Sequence, residues 1–253
     1  MQFEEGVRGK LVLPDAHRTV SKAVLMLHGM NGSMDEVGNL FADLADALAA
    51  RGIASLRFNF SGEGERVDYL MTSTQQSRLV ESRAAFELLR REVPDASYGV
   101  LGFSLGGLTA MEAVGQQPDR FKSMVLWSAV QEMRMQGSPA MSAAAREAAQ
   151  EGRGSYRSYA EITLTREFVL SYIGVDASRA LSTYSGALLT IRGDADYLPS
   201  HDRDWLRRAP GRDKSFLLIG GADHIFNVLE QPRPNYGARV IDATADWFQR
   251  TLQ

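Results

Sequence analysis

The 253-residue chain contains no cysteine, which excludes disulfides, thiolate metal sites and a cysteine nucleophile. Only four histidines are present, His17, His28, His201 and His224, so imidazole chemistry has four candidate positions. No apolar run reaches the roughly 18 residues that a membrane-crossing helix needs. No basic segment followed by an apolar core opens the chain, so no secretory signal is expected and a cytoplasmic location is. No run of five like charges occurs, and 28 Lys plus Arg against 31 Asp plus Glu leave a net charge of −3. That balance disfavours an electrostatic nucleic-acid binder and a polybasic membrane-surface protein. What is present is ordinary for a globular protein: 44% hydrophobic and 23% charged residues. A chain of this length buries about 70–75% of its unfolded surface and needs no staples.

Strand-like and helix-like runs alternate. Residues 22–27 (KAVLML), 53–60 (IASLRFNF), 98–103, 121–129 (FKSMVLWSA), 187–192 (ALLTIR) and 214–219 (KSFLLI) read as short apolar strands. Residues 39–51, 74–92, 105–115 and 236–252 carry apolar positions at helical spacing. This alternation predicts an α/β fold with a mostly parallel, doubly wound sheet flanked by helices. Residues 131–184 break the rhythm. They hold an expected helix with Ser138 as N-cap, Pro139 in the first turn and Gly152 at the end, and a second helix from Thr165 to Gly174. An insertion of about 50 residues in such a sheet is expected to form a cap or lid within a single domain spanning 1–253.

Gly102-Phe103-Ser104-Leu105-Gly106 is a G-x-S-x-G motif between a predicted strand and a predicted helix. A serine on so sharp a turn takes a strained backbone and needs small neighbours, and the turn lifts its hydroxyl to the helix N-terminus. There the Leu105 N–H and the helix dipole face a developing oxyanion. A serine hydroxyl is a poor nucleophile without a base, and the base needs an orienting acid. His224 follows a strand and a Gly220-Gly221-Ala222-Asp223 loop, which places it on the same side of the sheet. His17 lies in a polar turn, His201 in an acidic helix start, and His28 precedes Gly29 in a backbone-positioning turn. The loop Gly193-Asp194-Ala195-Asp196 offers two acids. The resulting chain order is Ser, Asp, His.

Other features carry less. Gly62-Glu63-Gly64 lacks the third glycine of a dinucleotide fingerprint, since position 67 is Val67, and reads as a tight loop. Asp194, Asp196, His201, Asp202 and Asp204 come without an H-E-x-x-H or cysteine set, so no metal is expected. The insertion contains Met133, Met135, Met141, Tyr156, Tyr159, Phe168 and Tyr172, which suit either a small lid core or an adaptable apolar pocket.

These residues resemble the α/β hydrolases over nearly the whole chain. The matching pieces are His28-Gly29-Met30-Asn31-Gly32, Arg57-Phe58-Asn59-Phe60-Ser61-Gly62-Glu63-Gly64, Gly102 to Gly107, Gly193 to Pro199 and Ala222-Asp223-His224. The chain is most similar to the cinnamoyl/feruloyl esterase-like branch of the serine carboxylesterases, which also carries an inserted cap. The resemblance implies Asp196 as the acid, with Asp194 second and Leu198 where the family has Val. It implies the N–H groups of Met30 and Leu105 as the oxyanion hole, and Ser104, Asp196 and His224 as the catalytic residues. Asn59 and Glu63 stand where the family usually has Asp and His, and Phe103 where it often has His. Gly29, Phe103, Trp127 and Met133 are the expected substrate-lining positions. The expected activity is cofactor-free hydrolysis of a small-molecule carboxylic ester of apolar or aromatic acyl type, by a monomer or homodimer. A thioesterase would want a basic lid mouth, and Arg134, Arg146, Arg153 and Arg157 are scattered. A small prolyl-oligopeptidase-type peptidase would use the same triad. A binding protein on this scaffold would have no need of the serine and histidine that are kept here.

Overall fold

The computed structural model describes residues 7–15, 19–64, 69–133, 138–158 and 160–253. His17, Val67, Arg134, Met135 and Tyr159 lie outside the described residues. The strands are β1 (Gly9–Val12), β2 (Lys22–Leu27), β3 (Ala54–Phe58), β4 (Leu70–Met71), β5 (Ser97–Phe103), β6 (Ser123–Trp127), β7 (Arg153–Arg157), β8 (Glu161–Thr165), β9 (Ala187–Gly193) and β10 (Lys214–Ile219). The helices are α1 (Leu40–Ala50), α2 (Gln75–Glu92), α3 (Leu105–Gln116), α4 (Pro139–Glu151), α5 (Arg166–Ser171), α6 (Asp202–Arg208) and α7 (Tyr236–Thr251).

Seven strands form the main sheet in the order β1-β3-β2-β5-β6-β9-β10. Only β1 is antiparallel to its neighbour. The alternation of side chains divides the core in two. Ala23, Leu25 and Leu27 of β2 face α2, α3 and the insertion, whereas Val24 and Met26 face α1 and α7. Helix α1 fits its face because Leu40, Phe41, Leu44, Ala45 and Leu48 recur at helical spacing and are all buried. Helix α2 starts where Thr74 and Ser77 cap each other's backbone N–H groups.

From β2 the chain runs outward to β3 in one direction and to β5 in the other, and the helices after β2 and β5 cover opposite faces. The crevice beyond the ends of these two strands is a topological switch point, where open parallel sheets bind ligands. The loop after β2 carries Gly29 and Met30, and the turn after β5 carries Ser104.

The insertion contains more than helices. Helix α4 starts and ends as expected, with the Ser138 side chain accepting from Met141 N–H and Gly152 in the left-handed region at the C-cap. Helix α5 stops at Ser171, short of the expected Gly174, because the Tyr172, Ile173 and Val175 N–H groups turn back to carbonyls three residues earlier. Between the helices, β7 and β8 pair antiparallel, and β8 pairs parallel with β4. A 3-10 segment, Ala177–Thr183, leads back to β9. Among the described residues no helix is long and apolar enough to cross a membrane.

Candidate active site

Strand β5 ends at Phe103 and α3 begins at Leu105, leaving Ser104 alone to turn the chain at φ 52° and ψ −117°. The main chain around it enforces this strained geometry. Ser104 N–H donates to the Trp127 carbonyl at 2.9 Å, and its own carbonyl accepts from Gly107 N–H at 2.9 Å. A Cβ at Gly102 would run into the backbone of Gly106, and one at Gly106 into the carbonyl oxygens of Leu27 and His28. The motif's small residues are therefore a packing requirement of the turn. Leu105 takes the first helical position, where an α-helix leaves its N–H groups without intrahelical partners.

The His224 imidazole reaches this serine, with Nε2 3.1 Å from Ser104 Oγ and Nδ1 2.9 Å from Asp196 Oδ1. His224 sits on a loop that fastens itself. Asp223 accepts from the Ile225 and Asn227 N–H groups, and the Asn227 side chain accepts from Asp223 N–H. The rings of Phe103 and Tyr197 flank the imidazole at centroid distances of 5.5 and 5.1 Å. Asp196, and not Asp194, stands against the imidazole. Asp194 accepts from Gly221 N–H at 2.6 Å and holds the backbone of the histidine loop. Burial works to raise the Asp196 carboxyl. The hydrogen bond and charge of His224, the Leu198 N–H and the Arg192 guanidinium outweigh it and hold the carboxyl below the ordinary aspartate range. His201 lies elsewhere, at the start of α6 with its ring beside Trp205.

The loop after β2 is fixed from several directions. His28 is fully buried, accepts from Phe60 N–H at Nε2 (3.0 Å) and has Nδ1 2.8 Å from the Gly29 carbonyl. Burial holds it neutral, pushing its pKa down to about 4. Glu63 lies behind the loop, with its side chain fully buried. It accepts from Asn31 N–H at 2.6 Å, from Ser73 Oγ at 2.5 Å and from Arg78 Nη1 at 2.6 Å. Arg78 also donates to the His28 carbonyl at 2.5 Å. The Glu63–Arg78 pair thus grips the main chain on both sides of Met30. Asn59 accepts from Met34 N–H at 2.6 Å, so both departures from the family pattern serve this loop. Glu36 accepts from Gly29 N–H at 2.6 Å and Val37 N–H at 2.9 Å. Burial pushes its carboxyl up to about 7.

The expected lining positions separate. Gly29 is buried beside Ser104, where an added Cβ would touch both the Ser104 Cβ and Glu36. Phe103 stacks on His224. Met30 and Met133 are partly buried against the core cluster on the insertion side. Trp127 is a correction. It is 0% exposed, its indole N–H donates to Thr244 on α7, and its ring packs against Phe41 and Phe226 on the α1–α7 side. It shares that face with Val125, two residues earlier on β6, and offers a ligand no surface; only its carbonyl serves the site. Sequence reasoning did not single out Glu36, Arg78 or Arg192. For Arg192 and Arg78 the available signal was a charged residue inside an apolar strand and on the inward stripe of a helix, which requires a buried partner; Glu36, in the loop after β2, carried no such signal. Among the described residues no group of three or more His, Asp or Glu side chains could hold a metal ion.

Residues 18–158 match the family Hydrolase_4, described as serine aminopeptidase, S33. The matched segment includes Met30, Ser104 and Leu105 and ends before Asp196 and His224. The esterase EstD of Thermotoga maritima is 28% identical over 111 residues, which is 42% of this chain and 27% of that protein. The match thus spans about a quarter of the length of that curated relative. Est1E of Butyrivibrio proteoclasticus with ferulic acid bound superposes with a TM-score of 0.74 at 16% identity, covering 97% of this chain and 95% of that one. A soluble variant of monoglyceride lipase from Saccharomyces cerevisiae, in complex with a substrate analogue, superposes with a TM-score of 0.80 at 14% identity, covering 100% and 95%. At these identities the likeness is one of fold, that of the α/β hydrolases.

Proposed function

Because the chain belongs to the serine aminopeptidase S33 family of hydrolases, we propose that it is a cofactor-free serine hydrolase of small to medium carboxylic esters with apolar or aromatic acyl groups. The observation that carries this reading is the relay from Ser104 Oγ through His224 to Asp196, at 3.1 and 2.9 Å, on a strained turn at the switch point of the sheet. In this reading Ser104 Oγ attacks the ester carbonyl as His224 Nε2 takes its proton, and Asp196 holds the other ring nitrogen and balances the imidazolium. The N–H groups of Met30 and Leu105 receive the tetrahedral oxyanion. His224 then protonates the departing alcohol, leaving an acyl group on Ser104. Water, deprotonated by His224, releases the acid and restores the serine.

Residues 131–184 act as a cap within the single domain, and Met133 and Met30 bound the acyl side of the pocket. The esterase relative and the ferulic acid on Est1E support an ester substrate and an aromatic acyl group. The family's description favours a second reading, removal of an N-terminal residue from a peptide by the same attack. The experiment is turnover of p-nitrophenyl esters from acetate to decanoate, a hydroxycinnamate ester and aminoacyl-anilides, with Ser104→Ala as control. Ester turnover lost by about 10⁴-fold or more in the variant is expected. Turnover of anilides alone would replace the ester reading with the peptidase one. Ester turnover that survives Ser104→Ala would refute the serine mechanism.

A further inference from the structure

Arg192 is the sixth residue of β9, a strand buried along its whole length. A cation in such a place needs partners, and its guanidinium has three. It donates through Nη1 to Asp196 Oδ2 at 2.6 Å, through Nε to Asp202 Oδ2 at 2.7 Å and through Nη2 to the Ala129 carbonyl at 2.5 Å. The side chains of Arg192, Asp196 and Asp202 are 2%, 1% and 0% exposed. Asp202 Oδ2 also accepts from Ser200, while its Oδ1 is buried without a partner. Three charges are thus held out of water together, one positive and two negative. The cluster keeps one uncompensated negative charge, and the group next in line is the His224 imidazole, on the other oxygen of Asp196.

The geometry points to Arg192 and Asp202 as positioning residues of the hydrolytic machinery: Arg192 locks the Asp196 carboxylate so that Oδ1 faces His224, and Asp202 offsets the arginine so that the cluster is neutral when the imidazole carries a proton. The inference rests on the triad reading above. Two of the three bonds of Arg192 fix the guanidinium to α6 and to the loop after β6, so Asp196 is pinned to segments that do not belong to its own loop. Without Asp202, an arginine beside Asp196 would cancel the carboxylate's attraction for the imidazolium. Without Arg192, two carboxylates would crowd one imidazole and hold its proton too tightly. The other charged groups nearby are turned away. Asp194 and Asp223 are bound to backbone N–H groups of the histidine loop, Glu36 is bound behind Gly29, and the rings of Phe103 and Tyr197 flank the imidazole.

The test is the rate at which a fluorophosphonate labels Ser104 between pH 4.5 and pH 9, with Ser104→Ala as blank. It needs no knowledge of the natural substrate. The acid limb of this profile reports protonation of the base. Arg192→Gln is expected to move the limb to higher pH by about 1 unit, and Asp202→Asn to lower pH by about half as much. Arg192→Lys keeps the charge but not the fork, so its limb should stay in place while the labelling rate falls about tenfold. If Arg192→Gln does not fold, Asp202→Asn and Arg192→Lys decide. A folded Arg192→Gln or Asp202→Asn whose limb coincides with the wild type, an Asp202→Asn limb that moves upward, or an Arg192→Lys that labels at the wild-type rate would overturn the inference and leave the triad reading standing. A wild type whose Ser104 takes no label would overturn both.

Discussion

Replacing Glu36 by Gln should reverse part of the protein's dependence of stability on pH. The Glu36 carboxyl is buried behind Gly29 and raised from 4.5 to about 7. Between these values the folded chain holds a proton that the unfolded chain has released, so stability is fully present below pH 4.5 and is lost as pH rises through 7. At about 1.36 kcal/mol per pH unit, the carboxyl should withdraw about 2.5 kcal/mol between pH 5 and pH 8. His28 acts in the opposite sense. Held neutral and lowered to about 4, it costs stability as pH falls below 6.5. The two offset each other in the wild type, so the informative quantity is the difference between variant and wild type. Gln titrates nowhere, and because its NH2 cannot accept, one of the Gly29 and Val37 N–H groups loses its partner at a cost of about 1–3 kcal/mol that does not depend on pH. Urea unfolding at pH 5, 6, 7 and 8 should show the stability of Glu36→Gln relative to the wild type rising by about 2.5 kcal/mol from pH 5 to pH 8. A difference that stays constant across this range would mean that the Gly29 and Val37 N–H groups keep Glu36 ionised throughout, and the argument from burial would fail.

Further predictions follow from the same contacts. Asp196→Asn should lower kcat by about 10⁴-fold, whereas Asp194→Asn, which loosens only the Gly221 N–H bond, should cost less than about tenfold; steady-state kinetics of both variants would expose the reverse assignment. Trp127→Phe strands the buried Thr244 hydroxyl and should cost about 1–3 kcal/mol of stability while leaving the acyl-chain preference unchanged; a shifted preference would return Trp127 to the pocket. Arg78→Met leaves Glu63 charged and unpaired, at about 3–5 kcal/mol. The double variant Arg78→Met with Glu63→Leu should recover much of that in denaturant unfolding but not the kcat, because the Asn31 N–H and the His28 carbonyl stay unheld.

Much of the main sheet was legible because its signals are local. Apolar runs such as 22–27, the helical spacing of residues 74–92 and the Gly-rich turn around Ser104 each announce themselves within a few residues. Strand β1 and the small sheet of the insertion were not legible. Gly9–Val12 is four residues long, and β4 only two; both owe their state to partners more than 40 residues away. The side-chain relay was legible through its order and its loops, but its supports were not. Arg78 meets His28 across 50 residues of chain, and Arg192 meets Ala129 across 63. Trp127 was misplaced because a strand's alternation tells which residues share a face without telling which face looks toward the site.

The pairing of β4 with β8 ties the insertion to a stretch of chain that precedes it by some 60 residues. Thr165 Oγ1 donates to the Met71 carbonyl at 2.8 Å, and Gln75 N–H to Ser171 Oγ at 3.0 Å. Two residues beyond Met71, Ser73 holds Glu63, and Glu63 holds Asn31 N–H. The insertion is therefore no freely swinging door. Three hydrogen bonds, Thr165 to Met71, Ser73 to Glu63 and Asn31 to Glu63, joined by the short main-chain stretch from Met71 to Ser73, thus run unbroken from the insertion to the turn that carries Met30.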